Sequence, residues 1–188
     1  MNADCYPISA LPHISPLFRD YVSGREETLH PFYSSFPFDT QWMQHPARID
    51  PQHRQNVVRL LRAQNLDYAA GPATKTNLDR LAEGAGAVVT GQQVALFGGP
   101  LLTLLKAATA IRMAADASRA GHPHVPIFWL ASEDHDFDEI NQAIFPHAEG
   151  LKTLRLPHNP GPGKAVGSLP LGDAILNFRG HADSKYSI

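Results

Sequence analysis

The chain has 188 residues, 43% of them hydrophobic and 18% charged, with a net charge of −2. That length suits about one domain with a single packed core, and the near-neutral balance excludes the basic excess expected of a nucleic-acid binder. The one cysteine, Cys5, excludes an internal disulfide framework and a multi-cysteine zinc site, and its place near a terminus argues against a nucleophile. No apolar run approaches the ~18 residues that span a bilayer. The first residues lack the basic-then-apolar pattern of a secretory signal. A soluble protein in the reducing cytoplasm, without a membrane or nucleic-acid partner, is the expectation.

Prolines break the first third into short pieces, because each removes a backbone donor and restricts the residue before it. Ser15 and Pro16 nevertheless form a cap-plus-N1 signal for a short helix to Tyr21. The aromatic cluster Phe32, Tyr33, Phe36, Phe38 and Trp42 lacks periodicity and is expected to pack on the rest of the domain. Asp50-Pro51 is a clearer helix start. Val57, Leu60 and Leu61 are expected to form that helix's apolar face, with Arg54, Arg59 and Arg62 elsewhere. A further helix is expected over Asn77 to Glu83, stopped by Gly84 and Gly86.

The centre is more legible. Ala87 to Thr90 is a short buried-strand candidate, followed by a Gly91-Gln92-Gln93 loop. Pro100 opens a long helix whose apolar positions Leu101, Leu104, Ala108, Ile111 and Ala115 follow the i, i+3/i+4 rule, and Gly121 ends it after Arg119. Ile127 to Ala131 reads as a second buried strand, and strand, helix and strand of these lengths imply parallel strands with a right-handed crossover. Lys152 to Leu156 alternates like a third strand, Asn159 to Gly163 and Gly167 to Gly172 are irregular, and Ala174 to Phe178 could begin another helix. The polar tail after it closes no core, as though the chain were cut short. The expected division is an irregular, helical segment over 1–85, a Rossmann-like core portion over 86–178 and a tail over 179–188.

Parallel strands send their following loops to one sheet edge, where open α/β sheets bind ligands. Thr90, Gly91, Gln92 and Gln93 should therefore lie near Ser132, Glu133, Asp134, His135 and Asp136. The first group leads to a helix start, whose free N–H groups suit a phosphate or carboxylate. The second supplies carboxylates and an imidazole that can hold an amine or move a proton. No standard nucleotide fingerprint is present. Gly98 and Gly99 have a plainer reading as a tight turn, and the acids have one as the first turn of a helix. Lys106 is expected to be solvated, as are His122 and His124, and no ligand spacing supports a tightly bound metal.

Residues 88–106, Val-Val-Thr-Gly-Gln-Gln-Val-Ala-Leu-Phe-Gly-Gly-Pro-Leu-Leu-Thr-Leu-Leu-Lys, resemble the cysteine ligase family of bacillithiol biosynthesis, the BshC family. Residues 125–141, Val-Pro-Ile-Phe-Trp-Leu-Ala-Ser-Glu-Asp-His-Asp-Phe-Asp-Glu-Ile-Asn, resemble the same family at the expected distance, and Val166 to Gly172 adds a weaker third match. Ala95, Leu102 and Leu105 depart from the glycine and tyrosines usual there. The resemblance implies an α/β fold, an incomplete Rossmann-like parallel sheet with flanking helices, the N-terminal part of a synthetase-like nucleotidyltransferase core. It implies addition of L-cysteine to glucosaminyl malate, with ATP or another nucleotide as activator, by a chain expected to be inactive alone. Asp134, His135 and Asp136 are then the catalytic candidates, and Thr90, Gly91, Gln92, Gln93, Ser132 and Glu133 the substrate or nucleotide contacts. The family's homodimer forms through a coiled coil without counterpart here. Two other readings compete: a metal-dependent hydrolase using residues 133–136, and a nucleotide-binding module without catalysis.

Overall fold

The computed structural model describes residues 12–25, 27, 30, 40–44, 49–147, 150–156 and 163–170. Cys5, most of the aromatic cluster, the Ala174 to Phe178 helix and the tail lie outside the described residues. The chain divides into two compact units, residues 1–86 with 117–124, and residues 87–116 with 125–188.

In the first unit, helix α1 (Pro16–Val22) starts as its sequence dictates, with the Ser15 hydroxyl accepting the Phe18 N–H. Helix α2 (Pro51–Asp67) is capped by Asp50, whose carboxylate accepts the His53 N–H at 2.8 Å. Helix α3 spans Pro72–Ala82, beginning five residues earlier than expected because Gly71-Pro72 is itself a start signal, with proline at the first helical position. Gly84, at φ +112°, ends that segment.

The inward face of α2 keeps only Leu61 of the expected one. Val58 is buried, whereas Val57 and Leu60 are exposed, and the inward line runs through Arg54, Val58, Leu61 and Asn65 at i, i+4, i+7 and i+11. Arg54 belongs to this face because its guanidinium Nη1 donates to the carbonyls of Leu81 and Ala85, both at 3.0 Å. It thereby ties the end of α3 to the turn after it, sharing the Leu81 carbonyl with the Gly84 N–H and meeting the Ala85 carbonyl beyond the helix. Arg62 pairs with Asp79 at 2.7 Å on the exposed side.

Strands β1 (Gly86–Gln93) and β2 (His124–Ala131) form a two-stranded sheet. They are not the buried strands expected, because a sheet of two strands leaves Val89, Trp129 and Leu130 exposed; the buried positions of β2 are His124 and Val125. Gly86 N–H donates to the Pro123 carbonyl, and further along Gly91 lies against Trp129, so residue numbers rise together on both strands and the pairing is parallel. Helix α4 (Leu101–Arg119) connects them, completing the Rossmann-like βαβ unit. Its buried positions are Ala110, Ala114 and Ala117, while Leu101, Leu104 and Ile111 of the expected stripe are exposed, as are Leu102 and Leu105. The helix turns its small residues inward, where a short side chain allows close backbone approach.

The second unit continues through the single-turn helix α5 (Phe137–Ile140) into strand β3 (Gln142–His147) and strand β4 (Gly150–Arg155). The expected third strand, over Lys152 to Leu156, is therefore half of a separate antiparallel pair, with Ala143 opposite Leu154 and Phe145 opposite Lys152. Five of its six residues are exposed, all but Leu154, so it lacks the alternation of a strand with one buried face. The core here gathers Leu96, Phe137, Ile140, Leu156 and Val166. Among the described residues, no helix is long and apolar enough to cross a membrane.

Candidate functional site

Thr90, Gly91, Gln92 and Gln93 occupy the last four positions of β1, and Ser132 to Asp136 follow directly on the end of β2. All nine candidates thus stand at the carboxyl edge of the parallel pair. Thr90 to Gln93 are strand residues rather than a loop at a helix start. Helix α4 begins only at Leu101, so its free N–H groups do not belong to Gln92 or Gln93. Between them lies a 3-10 turn, Leu96–Gly98, with Gly98 at its end and Gly99 as its cap at φ +84° and +76°. The tight-turn reading of those glycines is therefore the structural one.

The two sequence blocks meet at a single short bond. Gln93 Nε2 donates to Asp134 Oδ2 at 2.7 Å. Asp134 Oδ1 accepts from the backbone N–H of His135 at 2.6 Å and of Asp136 at 3.0 Å. The Asp136 N–H, then the Gln93 amide, hold the Asp134 carboxyl below the usual carboxylate range against the opposing effect of burial, with the N–H and charge of His135 adding less. With both oxygens engaged by donors, Asp134 is a poor proton acceptor and a good organiser of the turn.

Asp136 is also engaged, its Oδ1 accepting the Glu139 N–H at 3.3 Å as the cap of α5. Asp138 and Glu139 fill that helix's first turn, the plainer role foreseen for the acids. Ser132, Glu133 and His135 are exposed. The His135 imidazole takes no hydrogen bond among the described residues, which leaves it the group of the three best able to accept a proton. No three His, Cys, Asp or Glu side chains among the described residues converge as metal ligands.

A further segment holds this turn in place. Val166 N–H donates to the Asp134 carbonyl at 2.7 Å, and Gly167 N–H to the Ser132 carbonyl at 2.9 Å. Gly167 is required by contact: a Cβ there would lie 2.5 Å from Ser132 Cβ and 2.9 Å from Ser132 O. The third sequence block therefore clamps the second. Gly91 has a similar origin, since its Cβ would fall 2.8 Å from the Trp129 carbonyl on the neighbouring strand.

Two expectations are corrected. Lys106 is half-buried, its Nζ donating to Gln92 Oε1 at 3.0 Å, because it lies on the inward alanine face of α4. The periodicity of Ala110, Ala114 and Ala117 was the signal for it. His124 is buried at 4% exposure rather than solvated, since β2 begins there. Its Nδ1 donates to the His122 carbonyl at 2.9 Å, its ring stands edge-on to Trp42, and it covers Gly86, where a Cβ would lie 2.5 Å from Nε2. A cavity of about 500 Å³ in the first unit is lined by Arg80, Glu83, His122 and His124, among others. It contains none of the nine candidates.

Residues 1–185 match the family described as bacillithiol biosynthesis BshC, N-terminal Rossmann-like domain. A protein of Koribacter versatilis named "Putative cysteine ligase BshC" is 40% identical over 148 residues, 78% of this chain and 28% of that protein. Proteins of the same name are 41% identical over 146 residues in Solibacter usitatus and 36% identical over 184 residues in Salinibacter ruber. Those matches cover 75% and 90% of this chain but 26% and 32% of the relatives, so the chain spans under a third of the curated relatives' length. The chain belongs to the BshC family of bacillithiol biosynthesis, to which it contributes the N-terminal Rossmann-like domain.

Proposed function

We propose that this chain supplies part of the active centre of a ligase that joins the carboxyl group of L-cysteine to the amino group of glucosaminyl malate. The observation that carries the reading is the Gln93–Asp134 bond, which joins the two family-like blocks at one sheet edge. A nucleotide, when bound, turns the cysteine carboxylate into an acyl group with a good leaving group. The remaining needs are met by side chains.

Asp134 positions the turn and presents His135 outward. The His135 imidazole takes the proton that the attacking amine loses as the amide forms, a role for which its exposure and its ring nitrogens, free of hydrogen bonds among the described residues, suit it. The Ser132 hydroxyl and the Gln92 amide are donors that hold substrate oxygens. Asp136 keeps α5 capped, so its contribution is to the shape of the turn.

The test uses the full-length relative of Salinibacter ruber with ATP, L-cysteine and glucosaminyl malate, following the cysteinyl product by mass spectrometry. Product formation is expected, with the turnover rate falling about 10²–10⁴-fold when the residue aligned with His135 becomes alanine. Absence of product, or an unchanged rate in that variant, contradicts the reading.

A further inference from the structure

We infer that Lys106 and Gln92 form a binding site for an anionic group at the carboxyl end of β1. This deepens the ligase reading, from which only the choice of probes is taken; the site itself rests on the donor set.

Lys106 lies on the inward face of α4, one turn before Ala110, and is half-buried. Its ammonium carries three donors, of which one goes to Gln92 Oε1. No carboxylate among the described residues lies within ion-pair distance of it, unlike Arg25, Arg62 and Arg112, which pair with Asp20, Asp79 and Asp116. A partly desolvated cation whose acceptor is one neutral amide oxygen is under-compensated.

The amide orientation follows, because an ammonium can only donate and so must face the oxygen. Gln92 therefore turns its Nε2 away from Lys106. What the pair offers to a ligand is then N–H groups alone, two on the ammonium and two on the amide. A surface made only of donors selects a ligand made only of acceptors, which means a carboxylate or a phosphate. Thr103, one turn earlier on the same face, holds a buried hydroxyl without a hydrogen-bond partner among the described residues. Polar capacity on this face of α4 thus exceeds what the protein's own groups satisfy.

Consecutive strand residues project to opposite sides. Gln92 and Gln93 accordingly serve different neighbours, Lys106 on one side and Asp134 on the other. The end of β1 carries an anion holder and a turn organiser back to back.

The test is carried out on the whole chain after reductive ¹³C-methylation of its lysines, Lys75, Lys106, Lys152, Lys164 and Lys185. The Lys106 signal is assigned by its absence in Lys106→Arg, and the sample is titrated with tripolyphosphate and, separately, with L-malate. A saturable shift of Lys106 beyond those of the exposed Lys75 and Lys152 is expected for one probe. Tripolyphosphate assigns the site to nucleotide phosphate, malate to a substrate carboxylate. In unmethylated protein, Lys106→Met should weaken that probe at least tenfold, and Lys106→Arg should restore binding to within threefold. If neither probe moves Lys106 further than the exposed lysines, the inference is overturned and Lys106 only fastens Gln92. A Lys106 response combined with no cysteinyl product from the full-length relative would overturn the ligase reading alone.

Discussion

Gly167→Ala strikes the clamp that holds the acid-bearing turn. The new methyl carbon would sit 2.5 Å from Ser132 Cβ, 2.9 Å from its carbonyl oxygen and 3.1 Å from its Cα, where carbon atoms normally rest at about 3.5–4.0 Å. None of these atoms belongs to a flexible side-chain end, so the two backbones must part by about an ångström. That separation lengthens the 2.9 Å Gly167–Ser132 bond and the 2.7 Å Val166–Asp134 bond beyond useful range. Overpacking costs about 1–3 kcal/mol and each lost backbone bond about 0.5–1.5 kcal/mol, part of which water restores at this edge. The expected loss is about 2–4 kcal/mol in the stability of the second unit. Urea unfolding followed by tryptophan fluorescence measures it, and amide exchange at Val166 and Gly167 should lose protection in parallel. Gly71→Ala is the control, since nothing lies within 4 Å of its Cβ and its φ is −74°; it should cost under about 1 kcal/mol. Equal stabilities for the Gly167 variant and wild type, with protection retained, would refute the clamp.

Gly91→Ala places a methyl group 2.8 Å from the Trp129 carbonyl and should destabilise the parallel pair by about 1–3 kcal/mol, read by the same unfolding assay; a neutral result would mean the strands are further apart. Arg54→Met keeps the aliphatic stem but removes the charge-assisted bonds to the carbonyls of Leu81, which retains the Gly84 N–H, and Ala85, and thermal unfolding should show a loss of about 1–3 kcal/mol. An Arg54→Met chain as stable as wild type would remove the capping role. The Asp134 carboxyl titrates below its unfolded value of about 3.9. Its contribution to stability is therefore complete above that value and is lost as pH falls through the lower folded pKa. Carboxyl ¹³C shifts should place Asp134 below the other aspartates, and Asp134→Asn should weaken stability at neutral pH while flattening its acid decline. Titration of Asp134 at or above the usual range would contradict this.

What the sequence disclosed and what it withheld divide along physical lines. Ser15-Pro16 and Asp50-Pro51 are local signals, complete within one helical turn, and both caps form as written. Strands β1 and β2 were legible as short unbroken apolar runs, but the burial expected of those runs does not hold, since Val89, Trp129 and Leu130 are exposed, and each strand extends past its apolar stretch into polar residues. Helix faces were misread, since periodicity identifies an apolar stripe without saying which face a neighbour covers. In α4 the leucines are exposed and the alanines buried, and in α2 an arginine takes an inward place because carbonyl oxygens await it. Strand β3 escaped notice because Pro146 demotes a strand pattern. At the candidate site, the meeting of the two blocks followed from parallel geometry. The division of roles among Asp134, His135 and Asp136 did not, because it depends on which N–H groups a folded turn aims at which oxygen.

The account depends on the ends of β1 and β2 lying together, with Gln93 reaching Asp134. Isotope-edited nuclear Overhauser spectra of the whole chain test this directly, with the Gln93 side-chain amide protons assigned by their loss in Gln93→Ala. Cross-peaks from those protons to the backbone amides of His135 and Asp136, and from the Gly91 α-protons to Trp129, are the predicted result. Cross-peaks from Gly91 to Val125 or His124 instead, with none from Gln93 to the 134–136 turn, would reverse the strand pairing and contradict the account.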